Sequence, residues 1–302
     1  MDDYTIERLT DSNISDLSIL FANVYNRLLP PAFFSGKYNT KAFGPENLGY
    51  IAYSSNKTPV SFYGVIPCHL NIDGDKILAA QSADTMTHPK HRKKGLFLAL
   101  ARMTYHLAYN NGIEFIFGFP NQHSMPGFHK LNWIFTDKPM RLFVFPGSDI
   151  PFSRLLNRLR LLKAQSSPNS GQLTASALFV GEENAIIRND DFLKYKSYSR
   201  KISLQFENSY VWAKNDGDLK IGYFRLQPDK NISWLIGNLT KTAKRLFCRK
   251  IIFMTGPNTE SLESLRTVQQ GKDAFPIGFY NLSERKFDFN KIRFEFCDID
   301  IF

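Results

Sequence analysis

Cysteine is scarce in this chain: its 302 residues hold three, Cys68, Cys248 and Cys297, odd in number and far apart. None forms a Cys-x-x-Cys pair, which argues against a disulfide framework and against a zinc site of the usual spacing. Reduced thiols and no bound metal are the simplest expectation. Long apolar runs are missing too, since no stretch approaches the roughly 18 residues that span a bilayer. The first residues, Met1-Asp2-Asp3-Tyr4, lack the basic and apolar regions of a secretory leader. A soluble, cytoplasmic protein with no membrane partner is therefore expected. Acidic residues are the minority, 28 against 38 Lys and Arg, for a net charge of +10. That balance favours an anionic partner such as a nucleotide or a phosphorylated cofactor. Nucleic acid is disfavoured by the lack of a basic repeat, an RNP-like aromatic motif or zinc-ligand spacing.

Hydrophobic residues make up 43% of the chain and aromatics 14%, with 27 Phe, enough for a sizeable core built on aromatic-rich strands. Patterning predicts strands over 5–9, 48–53, 60–72 and 76–87, with Asp73-Gly74 as a hairpin turn. Asp11 or Ser12 is the expected cap of a first helix, and Pro30-Pro31 reads as its end. A longer helix is expected over 96–110, with Leu96, Leu100, Met103 and Leu107 at helical spacing and Asn110-Asn111-Gly112 as its stop. A short strand over 113–119, a short helix over 125–130 and a strand over 133–145 follow. The fold class is α/β, of the mixed α+β kind. Boundaries are expected at 1–147 for a first unit, 148–171 for a basic helix and linker, and 172–302 for a second unit. That second unit is read with strands over 209–213, 220–226, 249–254 and 292–296, and helices near Leu193 and over 232–245.

Between the strand ending near Thr87 and the helix starting near Leu96 lies His88-Pro89-Lys90-His91-Arg92-Lys93-Lys94-Gly95. A basic, glycine-bearing turn at a helix N-terminus presents unpaired N–H groups and the positive end of the helix dipole, which suits phosphate. It is neither a Walker loop nor a three-glycine dinucleotide fingerprint.

The block from Thr87 to Phe97 resembles the acetyl-CoA loop of the GNAT N-acetyltransferase superfamily, with Arg92 and Gly95 matching and Phe97 replacing a usually small residue. Phe128-His129-Lys130-Leu131-Asn132-Trp133 resembles the family's closing Tyr-x-x-Leu-Gly-Phe motif. The resemblance implies two GNAT-like units, each a mixed central sheet flanked by helices, and acetyl-CoA or another acyl-CoA as cofactor. Its pyrophosphate would sit on Arg92, Lys93, Lys94, Gly95, Leu96 and Phe97, and its pantetheine arm along Thr85, Met86 and Thr87, with Asn121 bonding the arm. Asp84 is the candidate general base for a neutral amine. Ser82, on the same face by strand alternation, would orient it or a water. Phe128 stands where the family has a Tyr acid, so His129 becomes a candidate for that role. The segments 118–128, 190–195 and 296–300 resemble the two-domain, anthrose-type subgroup that N-acylates nucleotide-linked (dTDP or UDP) amino sugars for surface polysaccharides. Another amine acceptor (aminoglycoside, polyamine or peptide) and a non-catalytic nucleotide- or nucleic-acid-binding protein are the rival readings.

Overall fold

The computed structural model describes residues 3–150, 152 and 174–302. The chain divides into two units. The first runs through Thr136 and takes back Pro276–Phe289; the second comprises Asp137–Phe275 and Asn290–Phe302. Both sheets are mixed, and helices flank them.

In the first unit β1 (Tyr4–Arg8), β2 (Gly49–Ser54), β3 (Pro59–Ile72), β4 (Asp75–Thr87), β5 (Phe115–Gly118), β6 (Ile134–Phe135) and a late strand, Gly278–Asn281, form one sheet. Its order is β1-β2-β3-β4-β5, then the late strand, then β6. The β3–β4 hairpin turns at Asp73-Gly74, both with positive φ, as a two-residue turn demands. β4 and β5 are parallel; their crossover is α3 (Leu96–Asn110).

That helix buries Leu96, Leu100, Ala101, Thr104, Tyr105 and Ala108. All of these but Thr104 pack with Tyr63, Val65 and Ala80 into one core cluster. Met103, expected in the stripe, is exposed; small residues at 101 and 108 shift the buried face by one position. The first helix, α1 (Asp16–Tyr25), starts later than Asp11 or Ser12, because residues 11–15 form turns. Pro30-Pro31 does not end a helical region but begins one. Pro31 is the first residue of α2 (Pro31–Tyr38), where a missing N–H costs nothing.

The expected strand over 133–145 is two strands in different sheets. Lys138-Pro139 interrupts it, Pro139 having no N–H to give a ladder, and β7 (Arg141–Pro146) belongs to the second unit. The division thus falls at Thr136 instead of Gly147. Most of the basic stretch and linker expected over 148–171 lies outside the described residues.

The second unit holds β7, β8 (Ala185–Ile186), β9 (Ile202–Phe206), β10 (Ser209–Asn215), β11 (Leu219–Arg225), β12 (Lys250–Thr255) and β13 (Lys272–Asp273). All but β8 form its sheet, in the order β13-β7-β12-β11-β10-β9. The late strand of the first unit, β14 (Gly278–Asn281), pairs antiparallel with β5 and β6; no strand was expected there. Residues 292–296 make no strand. Two isolated bridges join Arg293 to Ala185 and Glu295 to Thr255, and Phe296–Asp298 forms a 3-10 turn.

That turn seats a buried ionic cluster. Arg188 donates to both oxygens of Asp298, at 2.9 Å and 2.6 Å, and to Glu182 at 3.2 Å. Tyr223 also donates to Glu182. Beside them burial pushes the Glu295 carboxyl up to about 8, against the opposing pull of Arg188 and Ser261. The folded unit therefore prefers neutral Glu295. This stabilisation is complete below the ordinary carboxylate value of 4.5 and is lost as pH rises through about 8. Glu295→Gln, which imitates the neutral acid, should gain stability relative to wild type as pH climbs through that window. Urea midpoints of both proteins at pH 5, 7 and 9 measure the gap, and a gap independent of pH would contradict the assignment.

Packing around α4 (Met125–Lys130) yields a second expectation. The Phe97 ring lies against Tyr63 and Phe128, with centroids 5.7 Å and 5.4 Å away. A Cβ on Gly127 would fall 1.9 Å from its Cε1. Gly127→Ala should therefore cost on the order of 1–3 kcal/mol by overpacking. In a Phe97→Ala background the same substitution should cost almost nothing, as thermal melts of the double-mutant cycle will register.

Candidate active site

β4 and β5 pair through Ala80↔Ile116 and Gln81↔Phe117 and then part. On the other side of β4 the register with β3 shifts: Gly64 faces Ala83, but Phe62 faces Met86. Asp84 and Thr85 thus oppose the single residue Tyr63, a β-bulge, with Asp84 at φ 48°. Asp accepts this left-handed conformation more readily than most side chains.

Beyond the split the chain forms the basic turn. Lys93 and Gly95 both take positive φ, 62° and 79°, and Gly95 caps α3. The first helical N–H to bond back is that of Ala99, to the Gly95 carbonyl at 3.1 Å. The preceding N–H groups have no place in the helix ladder, and the alternation of backbone hands curves them into a concave anion cradle. The Arg92 Nε donates to the Thr87 carbonyl at 3.3 Å, tying the turn to β4. The Lys94 ammonium lies 5.8 Å from the Tyr4 ring centroid, and Tyr4 bonds His91 Nδ1 at 2.9 Å. The His91 imidazole is pushed below its ordinary value by burial and by the positive charges of His88, Lys94 and Lys90.

A cavity of about 730 Å³ opens on this turn, within the range of small-molecule sites. Thr85, Thr87, Arg92, Lys93, Lys94, Gly95, Leu96, Phe97 and Asn121 all line it, joined by Val24 and Tyr25 from α1 and by His91, His123 and Lys130. The expected cofactor residues thus line one cavity, with a single exception. The Met86 side chain is fully buried; its pairing with Phe62 turns it into the core. Asn121 reaches the cavity, but its Oδ1 already accepts from the His123 and Ser124 N–H groups at 2.8 Å and 3.1 Å. It shapes the turn before α4.

The expected catalytic residues are dispersed. Asp84 Oδ2 pairs with the Lys37 ammonium at 2.8 Å and accepts from the Tyr38 hydroxyl at 3.1 Å. Lys37 and Tyr38 come from α2, the helix the sequence reading missed; Pro31 at a helix start was the available signal. Ser82 accepts instead from Tyr63 at 2.8 Å, in the core cluster on the α3 face. The bulge breaks strand alternation, so Ser82 and Asp84 are not on the same face, and Ser82 does not orient Asp84. His129 is exposed and rests against Phe135 with centroids 5.0 Å apart; Ser82, Asp84 and His129 all lie outside the cavity lining. Phe128 is buried against Trp133. Among the described residues no cluster of His, Cys, Asp and Glu could hold a metal ion, and no helix is long and apolar enough to cross a membrane.

Residues 5–135 match the family model of the acetyltransferase (GNAT) domain. Comparison with curated proteins found no match. Among solved structures the chain is similar to a putative acetyltransferase from Pyrococcus horikoshii at 11% identity and TM-score 0.56, covering 98% of this chain and 94% of that one. It is similar to a GCN5-related N-acetyltransferase from Kribbella flavida at 12% identity and TM-score 0.55, covering 93% and 72%. It also resembles the N-myristoyltransferase of Saccharomyces cerevisiae with bound myristoyl-CoA, at 12% identity and TM-score 0.57, covering 95% and 84%. At these identities the structural likeness speaks for the fold. The split strands and the cationic turn both lie in residues 5–135, the stretch that is similar to the acetyltransferase (GNAT) domain.

Proposed function

We propose that the protein transfers an acetyl group from acetyl-CoA to the amine of a nucleotide-linked (dTDP or UDP) amino sugar. The observation that carries the cofactor half of this reading is the cavity at the basic turn, lined by that turn, by Thr85 and Thr87 beyond the point where β4 leaves β5, and by Asn121, His123 and Ser124. The cradle fits a pyrophosphate: left-handed Lys93 and Gly95 curve N–H groups inward, and Arg92, Lys93 and Lys94 add charge. Backbone groups of β4 beyond Gln81, which no longer pair with β5, suit the amides of a pantetheine arm. Bound acetyl-CoA supplies an activated thioester.

The remaining work falls to the chain. An amine attacks only when neutral, so a proton acceptor is needed beside the split. Asp84 sits at the bulge with both its contacts on Oδ2, and Oδ1 is the oxygen proposed to accept the proton. Support for the acceptor class is the cationic excess, large enough for a second diphosphate, together with the sequence resemblance of segments 118–128, 190–195 and 296–300.

Calorimetry with acetyl-CoA, followed by thiol release with a panel of dTDP- and UDP-amino sugars, tests both halves. Binding is expected, and its absence would end the acyl-CoA reading. Binding with turnover only on aminoglycosides, polyamines or peptides would retire the sugar acceptor alone. Gly95→Trp, a side chain forced into a left-handed position, should weaken acetyl-CoA by about tenfold or more, near 1.4 kcal/mol. Asp84→Asn should lower turnover by about 100-fold with acetyl-CoA affinity retained; full turnover at neutral pH would remove Asp84 from the mechanism.

A further inference from the structure

Four side chains form a line of hydrogen bonds through the core of the first unit. The Trp133 indole N–H donates to the Tyr105 hydroxyl at 2.8 Å, Tyr105 and Tyr63 are 3.3 Å apart, and Tyr63 donates to Ser82 Oγ at 2.8 Å. An indole nitrogen only donates. Tyr105, having accepted from it, turns its own proton toward Tyr63, and Tyr63 passes its proton bond to Ser82. The direction is set from one end, and each link polarises the next. Ser82 receives a bond and has its own O–H left to give.

The far end of this line lies at the fork of the split strands. Ser82 directly follows Gln81, the last β4 residue paired to β5, and Gly118 directly follows Phe117, its partner. A Cβ on Gly118 would stand 3.2 Å from both the Ser82 Cβ and the Trp133 ring. Ser82 keeps some exposure on a central strand whose neighbours Gln81 and Ala83 are buried, although it is not among the residues that line the cavity. Burial raises both tyrosines well above their ordinary range, so they hold their protons and serve as donors. Phe128, where the family resemblance calls for a Tyr acid, has no hydroxyl to offer.

We propose that the Ser82 hydroxyl donates a hydrogen bond to the cofactor sulfur, taking the place of the absent Tyr, with Tyr63, Tyr105 and Trp133 as positioning residues behind it. The inference rests on the acyl-CoA reading above. No proton leaves Ser82. As the carbon–sulfur bond breaks, its electron pair stays on sulfur, the new carbon–nitrogen bond forms, and the amine proton goes to Asp84. The Ser82 O–H meets the charge that develops on sulfur.

The acidity of the thiol in bound CoA reads this directly, without an acceptor. The ultraviolet absorbance of the thiolate, taken as complex minus protein, is titrated for wild type, Ser82→Ala, Ser82→Thr and Tyr105→Phe. Wild-type protein should hold the thiol about tenfold more acidic than Ser82→Ala, which is a pKa difference of about 1. Ser82→Thr should restore most of that difference, and Tyr105→Phe, which leaves Ser82 in place, should lose part of it. Equal thiol pKa values in wild type and Ser82→Ala, with CoA bound to both, would overturn the role of Ser82 and leave the acyl-CoA reading intact. If Ser82→Ala fails to fold, the Tyr105→Phe titration decides, and a wild-type value there overturns the relay. Failure of wild-type protein to bind CoA would overturn the acyl-CoA reading and the present inference together.

Discussion

The parting of β4 from β5 is the constraint on which the rest of the first unit depends. Paired strands have no free backbone groups to offer a ligand; parted strands have two rows of them. The last paired residues are Gln81 and Phe117, and three residues later the bulge at Asp84 bends β4 away while its ladder to β3 continues to Thr87. A bulge adds local twist, so one strand keeps one neighbour and sheds the other. A left-handed aspartate costs about 1 kcal/mol or more per residue. The Lys37 ion pair and the Tyr38 bond, both on Oδ2, hold it there. Their side chains are nearly dry, with 3% of Lys37 and 12% of Asp84 exposed. A pair so placed is costly to break because one charge would be left buried and unmatched. α2 therefore acts on the site through β4, as the brace of its bend.

The basic turn supplies an anion cradle at the outer end, where left-handed Lys93 and Gly95 curve the backbone and α3 begins. Phe97, large where the family is small, does not fill this space. Its ring turns inward against Tyr63 and Phe128, and the room it takes is vacated at Gly127. The departure from family pattern is thus absorbed by packing within the core, and the cradle keeps its curvature.

The basic turn was legible in the sequence because its determinants are local: a glycine, a run of cations, and a strand and helix on either side. Residues 92–95 stand out on that ground, whereas 85–87 were placed by the family resemblance, and Met86 failed because three consecutive strand residues cannot all face one side. What escaped depends on distant partners. Pro30-Pro31 reads equally as a stop or a start, and only the packing of Lys37 and Tyr38 beneath Asp84 decides for a start. β14, just four residues long, carries no pattern that names β5 as its neighbour some 160 positions away in the chain. The strand expected over 292–296 has apolar alternation, yet a buried carboxyl network claims its backbone for a turn. Sequence alternation assumes a regular ladder, and it fails where the ladder bends.

The bulge also separates the two candidate catalytic side chains in a chemically useful way. Regular alternation would have put Ser82 and Asp84 side by side, competing for one surface of a bound thioester. Instead Asp84 is engaged from α2 and Ser82 from the core under α3. Acyl transfer needs a proton taken from nitrogen and a charge met on sulfur, two demands of opposite sign at neighbouring atoms. A carboxylate beside the sulfur would oppose the charge forming there, whereas a hydroxyl lined up by a chain of donors welcomes it. One left-handed residue thus turns Asp84 toward α2 and leaves Ser82 toward the core under α3, so that the proton acceptor and the hydrogen-bond donor proposed above would act from different sides.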